Sequence, residues 1–381
     1  MNKAPVFVLF ALLAGCQPDA EPFLPEHATI DLLIENGRVL DGLGNDAMDA
    51  DIVIVEEQIV FVGSAAFSQA DRAERIARII DVEGRVVAPG FIDLHAHGDP
   101  LATPEMENFL AMGVTTITLG QDGSSPDVQP LSDWLADVAA GGIGTNLAMF
   151  VGHGTLRNQS GIGMSDEPDP ESMQRMLDLL DESLDYTFGM STGLEYNPGL
   201  NADTSELRAL AAVVGENDRM IMSHLRNEDD HALEASIAEL LEQGDDARVH
   251  ISHLKSVYGS GAARAEEILG ILDDARTNGI SITAEIYPYS ASYTGIGIVF
   301  PVWAKTQEQF DVAKVERREE LAEYLRNRVN QRNGPEATLL GTDPWTGKTL
   351  ADVAREMELP FEDVLIDVIG PRGASGAYFV M

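Results

Sequence analysis

The pattern of apolar and polar positions divides the chain into two parts. From residue 30 to about residue 87, short alternating or apolar runs are separated by turn residues, which predicts a small antiparallel sheet. After residue 86, apolar runs alternate with amphipathic stretches, a pattern typical of βα units and a parallel sheet. The predicted parallel strands cover residues 86–95, 114–121, 146–152, 187–193, 219–224, 248–254 and 280–288.

Helices are predicted between these strands. The clearest covers residues 170–184, because Asp169 is a suitable N-cap and Pro170 suits the first helical position. Two others cover residues 205–214 and 231–243. Seven strands of a (β/α)8 barrel are therefore visible, and we predict an α/β fold with such a barrel over residues 86–381 and a small β-sheet domain over residues 29–85.

The charge balance narrows the function classes. Among 381 residues, 25 Lys and Arg stand against 63 Asp and Glu, for a formal charge of −38. A surface this acidic repels phosphates, so nucleic acid is not an expected partner. The acidity is spread along the chain, which is typical of a well solvated surface.

The N-terminus resembles a bacterial lipoprotein signal. Lys3 precedes an apolar stretch over residues 6–13, and Leu13-Ala14-Gly15-Cys16 ends it with small residues. We expect residues 1–16 to be signal peptide and lipobox, with lipid on Cys16, and residues 17–28 to be a tether. A plain cleaved signal peptide is the alternative. The expected location is the cell envelope, lipid-anchored and facing the periplasm.

Histidines at strand ends point to a metal. His95 and His97 close the first parallel strand one residue apart, so both side chains are expected on one face. His153, His224 and His253 also end apolar, β-branched runs. In a parallel barrel the C-terminal strand ends open on one face, where these imidazoles would meet and suit zinc.

At these residues the chain resembles the amidohydrolase superfamily, and within it the N-acyl-D-amino-acid deacylases, or D-aminoacylases. The matching motifs cover residues 89–97, 113–116, 152–157, 191–196, 223–228, 251–255 and 287–289. The resemblance implies a metal-dependent hydrolase that cleaves N-acyl-D-amino acids to a D-amino acid and a carboxylate, built on a TIM-like barrel with a small β-sandwich domain. A cyclic amide or dipeptide substrate stays an alternative.

The resemblance also implies roles for single residues. His224 and His253 would hold a tightly bound zinc, and His95 and His97 a second, weaker position. Lys255, together with Tyr287 or Tyr289, would contact the carboxylate of the substrate.

Two departures from the family pattern bear on the metal and on catalysis. Asp122 stands where D-aminoacylases place a bridging cysteine, so we expect weaker zinc binding; a simple turn aspartate beside Gly123 is the alternative. The family's catalytic aspartate ends strand eight, whereas this sequence reaches Met381 first. We therefore expect a truncated barrel lacking strand eight, with at most trace activity, or a non-catalytic metal-binding fragment. Asp343 is a weaker candidate for the base.

Other motifs leave alternatives open. His153 lies near the metal or merely ends a strand, and Arg226 with Glu228 orients the ligands or forms a surface ion pair. Residues 191–199 shape an acyl pocket or only a long turn. The glycines around residues 341–349 are spaced wrongly for a phosphate loop, and Ser191 lies outside a nucleophile elbow, so neither predicts a site.

Overall fold

The structure, a computed structural model, describes residues 29–379, which separate between Phe91 and Ile92 into two units. The predicted signal peptide, Cys16 and the tether lie outside the described residues. Each unit is built around its own sheets.

The N-terminal unit is one five-stranded sheet. Its strands are β1 (Leu32–Val39), β2 (Met48–Val55), β3 (Gln58–Gly63), β4 (Ile79–Asp81) and β5 (Val86–Val87), and its helix is α1 (Gln69–Arg75). β2 pairs antiparallel with β1 and β3, but β4 and β5 pair parallel to β1, because the chain crosses over through α1 before returning. The prediction of a purely antiparallel sheet is therefore wrong, and the sandwich stays a prediction.

The predicted strand over residues 86–95 is two short strands. Val86 and Val87 pair with β1, and the chain re-enters a sheet only at Phe91. Pro89 lies in the interruption and lacks the N–H that a continuous ladder needs. The first parallel strand thus begins later than the apolar run suggested.

The second unit carries parallel strands in chain order. They are β6 (Phe91–Asp93), β7 (Val114–Leu119), β8 (Asn146–Met149), β9 (Val151–Gly152), β10 (Gly189–Gly193), β11 (Met220–His224), β12 (Arg248–Ile251) and β13 (Ile282–Ala284). They form the sheets β6-β7-β8 and β13-β12-β11-β10-β9, and Phe150 alone separates β8 from β9. Within the described range, seven strand positions of the barrel are therefore formed, as predicted.

Helices cover the outside of these strands. They are α2 (Glu107–Ala111), α3 (Leu131–Gly141), α4 (His153–Ser160), α5 (Pro170–Leu184), α6 (Thr204–Glu216), α7 (Leu233–Gln243) and α8 (Ala262–Thr277). α5 begins as predicted, because the Asp169 side chain accepts from the N–H groups of Glu171 and Ser172, both at 3.0 Å. Its Met176 and Leu180 are fully buried, each contributing about 1.5–3 kcal/mol by removal from water.

A further segment follows β13. Its antiparallel sheet has the order β14-β16-β15, with β14 (Ala291–Gly295), β15 (Thr338–Leu340) and β16 (Ser375–Phe379). Its α-helices are α9 (Gln307–Glu316), α10 (Arg318–Gln331), α11 (Leu350–Met357) and α12 (Phe361–Val364). Among the helices of residues 29–379, none combines the length and apolar character needed to cross a bilayer.

Candidate metal centre

Five possible metal donors converge at the C-terminal ends of four parallel strands. His224 is the last residue of β11, and the other donors follow their strands by two to four residues. Parallel strands deliver their ends to one face, so residues far apart in sequence meet there. The donors are His95 and His97 after β6, Asp122 after β7, His224 on β11 and His253 after β12.

Three of these donors surround one point. His224 Nδ1 lies 3.0 Å from His253 Nε2, and Asp122 Oδ1 lies 3.3 Å from His253 Nε2 and 3.7 Å from His224 Nδ1. Ligands bound to zinc at roughly 2.0–2.1 Å in a tetrahedron lie about 3.3 Å from one another. The three donors therefore fit one metal ion and leave a coordination position open.

Asp122 also faces a second donor group. Its Oδ2 lies 3.4 Å from His95 Nε2 and 3.2 Å from His97 Nε2. His97 is 66% exposed at its side chain, whereas His224 is 3% exposed. The two oxygens of Asp122 thus face two adjacent candidate metal positions. The position that includes His97 is more open to solvent.

A carboxylate lies close to the outer nitrogen of each buried ring, although the Glu228 oxygen beside His253 lacks hydrogen-bond geometry. Glu285 lies 2.8 Å from His95 Nδ1. Glu195 lies 3.3 Å from His224 Nε2, and Glu228 lies 3.0 Å from His253 Nδ1. Such partners fix the tautomer and orientation of metal-binding histidines. They leave the inner nitrogens available as donors.

The charges of the centre favour a bound cation. Burial opposes charge on Asp122, but hydrogen bonds from the surrounding histidines hold its pKa well below its usual range. Burial likewise lowers the pKa of His224, and the nearby carboxylates outweigh it, raising that pKa to about 10. Asp122 and Glu285 raise the pKa of His95 to about 9 against the same opposing burial. The metal-free centre thus holds protons on its histidines, and a divalent ion would displace these protons on binding.

The bridging carboxylate sits on an unusual turn. Asp122 and Gly123 have φ angles of 54° and 74°, in the left-handed region that aspartate tolerates and glycine favours. A Cβ on Gly123 would lie 2.7 Å from the backbone nitrogen of Gly193. The turn therefore packs directly against the end of β10.

The residues expected to contact the substrate adjoin His253. Lys255 Nζ lies 3.0 Å from His253 Nδ1 and 2.5 Å from a Glu228 oxygen. Tyr287 faces the same histidine at 6.5 Å between ring centroids and stacks on Tyr289 at 6.3 Å. A cation and two phenols are thus grouped on one side of the donors.

Comparison with known proteins agrees with this architecture. The chain is 33% identical over 290 residues to N-acyl-D-glutamate deacylase of Alcaligenes xylosoxydans xylosoxydans, covering 70% of this chain and 58% of the relative. It is 28% identical to the D-aminoacylase of the same organism, covering 73% and 60%. N-acyl-D-glutamate deacylase from Bordetella bronchiseptica, solved with zinc and a phosphonate inhibitor, superposes with a TM-score of 0.75 at 26% identity, covering 93% and 72%. No family model matches the chain.

In sequence and in fold the chain is thus similar to the D-aminoacylases of the amidohydrolase superfamily. A solved D-aminoacylase, whose description concerns a binuclear metal centre, superposes with a TM-score of 0.72 at 26% identity. It covers 92% of this chain, which covers 72% of it. The chain spans about three fifths of the length of the curated relatives it matches.

Two residues that could orient the metal ligands, His153 and Arg226, have their contacts away from the donors. His153 begins α4, fully buried, with its Nε2 2.7 Å from Glu206. Arg226 pairs with Glu239 at 2.9 Å and donates to the backbone oxygens of Leu200 and Ala202. Neither contacts a donor in the interactions found across residues 29–379, so Arg226 fits its ion-pair alternative, whereas Glu228 lies beside His253.

Asp343 lies apart from the donor groups. It is exposed in the turn after β15, and its Oδ1 accepts a hydrogen bond of 2.8 Å from Thr346. None of the metal-binding groups found among the described residues includes it. The structure gives it a local turn contact rather than a place beside the histidines.

Sequence reasoning missed three residues that orient the donors. They are Glu195, Glu285 and His250, whose Nε2 lies 2.6 Å from Glu285. Glu285 directly follows β13, and Glu195 follows β10 by two residues. The rule that collected the histidines, position at a strand's C-terminal end, would have found both carboxylates.

Proposed function

We propose that this chain is a metal-dependent amide hydrolase that cleaves N-acyl-D-amino acids to a D-amino acid and a carboxylate. The observation that carries the proposal is the sharing of Asp122 between two histidine pairs, directly beside Lys255. Named relatives deacylate N-acyl-D-glutamate and N-acyl-D-aspartate, which supports the same reaction class here.

The side chains divide the work on the substrate. Lys255 pairs with the α-carboxylate, because it places a cationic group beside the donors, where its Nζ contacts Glu228 and His253. Its closeness to His253 places the scissile carbonyl, whose carbon is three bonds from the carboxylate carbon, over the donors. When bound, the metal supplies Lewis acidity to the carbonyl and lowers the pKa of a coordinated water.

We further propose zinc as the metal, held tightly by His224 and His253 and less tightly by His95 and His97. The first pair is more buried and meets Asp122 with both rings oriented by carboxylates, whereas His97 is largely exposed. Elemental analysis of purified protein tests this. We expect zinc near one equivalent after gel filtration, and a content unchanged by His224→Ala would contradict it.

Turnover is tested with matched enantiomers. Purified chain reconstituted with zinc is assayed on N-acetyl-D-amino acids, with the L-enantiomers as controls and a chelator to remove the metal. We expect hydrolysis of the D-series alone, at no more than a trace rate because the predicted strand-eight aspartate is absent, and this activity should be lost with chelator and restored by zinc. Hydrolysis of a cyclic amide or dipeptide instead would favour those substrates, and zinc binding with no turnover would favour the non-catalytic alternative.

We propose also that Cys16 carries a lipid anchor that holds the protein in the bacterial cell envelope, facing the periplasm. Its support is the sequence Leu13-Ala14-Gly15-Cys16 after a short apolar stretch. Stable anchoring requires two or more acyl chains, which a bacterial lipoprotein carries. Wild-type protein should fractionate with membranes and Cys16→Ala should not; recovery of both forms as soluble protein would end this proposal.

A further inference from the structure

A cavity of about 540 Å³ opens beside the donors on the side away from Lys255. Its wall includes His97 and Asp122, and also Tyr196, whose ring lies 4.5 Å from that of His224. We propose that this space, the acyl cavity, binds the acyl group of the substrate and selects a long, uncharged acyl group that carries a hydrogen-bond donor. This proposal rests on the deacylase function proposed above.

The two arms of an amide substrate explain the assignment. If Lys255 and Tyr287 hold the carboxylate arm, the acyl arm must leave the carbonyl carbon in the opposite direction. Lys255 and Tyr287 line a different cavity, of about 470 Å³, which shares no lining residue with the acyl cavity. Another cavity, of about 980 Å³, has none of the five donors in its wall. The acyl cavity alone among these three combines donors with free space.

The size of the acyl cavity indicates a long acyl group. A water molecule occupies about 30 Å³ of liquid, so an acetyl group fills only a small part of about 540 Å³. Apolar side chains, Leu119, Trp134 and Met149, contribute to its wall. Burying each further methylene group against such a wall should tighten binding by about fourfold.

The polar groups of the wall indicate what the acyl chain carries. Gln121 is 2% exposed; its Nε2 donates to the Leu94 backbone oxygen, but its Oε1 has no hydrogen-bond partner in the structure. This oxygen is closed off from solvent as the side chain stands, so a donor on the ligand would reach it, and stabilise the complex, once the Gln121 amide turns toward the cavity. The side chains of Asn158 and Asn197 also line the cavity and make no hydrogen bond among the described residues.

The charge of the wall argues against an anionic acyl group. Its ionisable residues are His97, Asp122 and Tyr196, with no lysine or arginine. A carboxylate at the end of the acyl chain would lose its hydration without gaining a cationic partner. A hydroxyl or amide group at that position meets hydrogen-bonding side chains instead.

Binding of non-hydrolysable ligands tests the proposal. Ketone analogues, with a methylene in place of the amide nitrogen, are made from one D-amino acid skeleton with acetyl, hexanoyl, ω-hydroxyhexanoyl and adipoyl groups. Kd is measured by calorimetry on zinc-loaded protein. We expect the ω-hydroxyhexanoyl analogue to bind at least about tenfold more tightly than the acetyl analogue, and the adipoyl analogue more weakly than the hexanoyl one.

Two variants locate the effect. Asn158→Trp places a large ring at an exposed helical position in the cavity wall, so the affinity ratio of the long to the short analogue should fall toward one. Gln174→Trp, at an exposed position of α5, should keep the wild-type ratio. Gln121→Met removes the free acceptor and should abolish the advantage of ω-hydroxyhexanoyl over hexanoyl.

The possible failures differ. Equal Kd values across the series in wild-type protein, or a ratio unchanged by Asn158→Trp, would overturn the acyl cavity and leave the deacylase proposal intact. If no analogue binds zinc-loaded protein, and no N-acyl-D-amino acid is hydrolysed, the deacylase function fails and the acyl cavity with it.

Discussion

The metal centre and a second buried cluster both place histidine against carboxylate, yet they differ in what they need. In the cluster formed by His153, Arg157 and Glu206, one carboxylate lies 2.7 Å from His153 Nε2 and 2.7 Å from the Arg157 guanidinium. Its negative charge is already paired with a permanent cation. In the metal centre, the contacts of Asp122 among the described residues are with histidines, whose protons a metal ion can displace.

The difference teaches how to distinguish two kinds of strand-end histidine. His153 follows β9 directly, so its position along the chain is as suggestive as that of His224. It starts a helix, however, and its Nδ1 is buried without a partner in the structure, facing no second donor. Convergence of inner nitrogens, with carboxylates on the outer ones, is what marks the metal donors.

The largest expected effect is the loss of zinc on substitution of His224, compared with substitution of His153. His224→Ala should reduce bound zinc to background, because it removes one of three donors around the buried position. His153→Ala should keep the zinc content of wild type, since His153 contacts no donor. Elemental analysis of both proteins after dialysis provides the measurement, and zinc lost equally from the two would erase the distinction.

Breaking the second cluster should cost stability and spare the metal. Arg157→Met leaves Glu206 buried without its permanent cation, which should lower the free energy of unfolding by about 3–5 kcal/mol. Glu171→Gln, in an exposed pair with Arg175, serves as control and should change stability little. Denaturant titration measures both; an equally small effect of Arg157→Met would contradict the account of the cluster.

A third test compares the outer carboxylates of the two regions. Glu195→Gln keeps the shape of the side chain but weakens its hold on His224 Nε2, so zinc Kd should rise about 10- to 100-fold. Glu206→Gln should leave zinc Kd within about twofold. Competition with a chromophoric chelator measures the constants, and equal effects of both variants would show that Glu195 does not orient His224.

The smallest expected effect is on the free energy of unfolding at low pH. Burial opposes ionisation of Glu206, but His153 and Arg157 outweigh it and hold its pKa below the ordinary value of 4.5. A carboxyl with a depressed folded-state pKa contributes stability that is present above pH 4.5 and is lost as the pH falls through the folded-state pKa. Glu206→Gln should flatten this acid limb in unfolding curves, and a wild-type slope in that variant would refute the assignment.

The sequence predicted most of the parallel strands because long apolar periodicity is a local property. Helix α5 was predicted with its cap, since Asp169 and Pro170 act within one turn. The break before β6 and the parallel return of β4 were not, because pairing between distant segments decides them.

For the site, the metal donors could be predicted from the sequence, whereas the contacts that orient them could not. The five metal donors could be named from strand ends and from the resemblance, and the structure brings them together. The contact of Glu285 with His95 spans 190 positions, and that of Glu195 with His224 spans 29. Such contacts depend on the angle at which each ring is presented, which no pattern along the chain reports. For the same reason, the sequence pattern could not predict that His153 contacts Glu206 and not the metal donors.

The interlocking of the Asp122 turn with β10 has a consequence for how this site tolerates change. A Cβ on Gly193 would lie 2.0 Å from the Asp122 backbone oxygen, so the two segments meet main chain to main chain. The left-handed backbone at residue 122 would also accept asparagine, but asparagine offers one oxygen where Asp122 presents two to the histidines. Gly123 has no room for any side chain. In a saturation library, substitutions at residue 122 should therefore lose metal and keep the fold, whereas substitutions at residue 123 should disturb the packing of the turn itself.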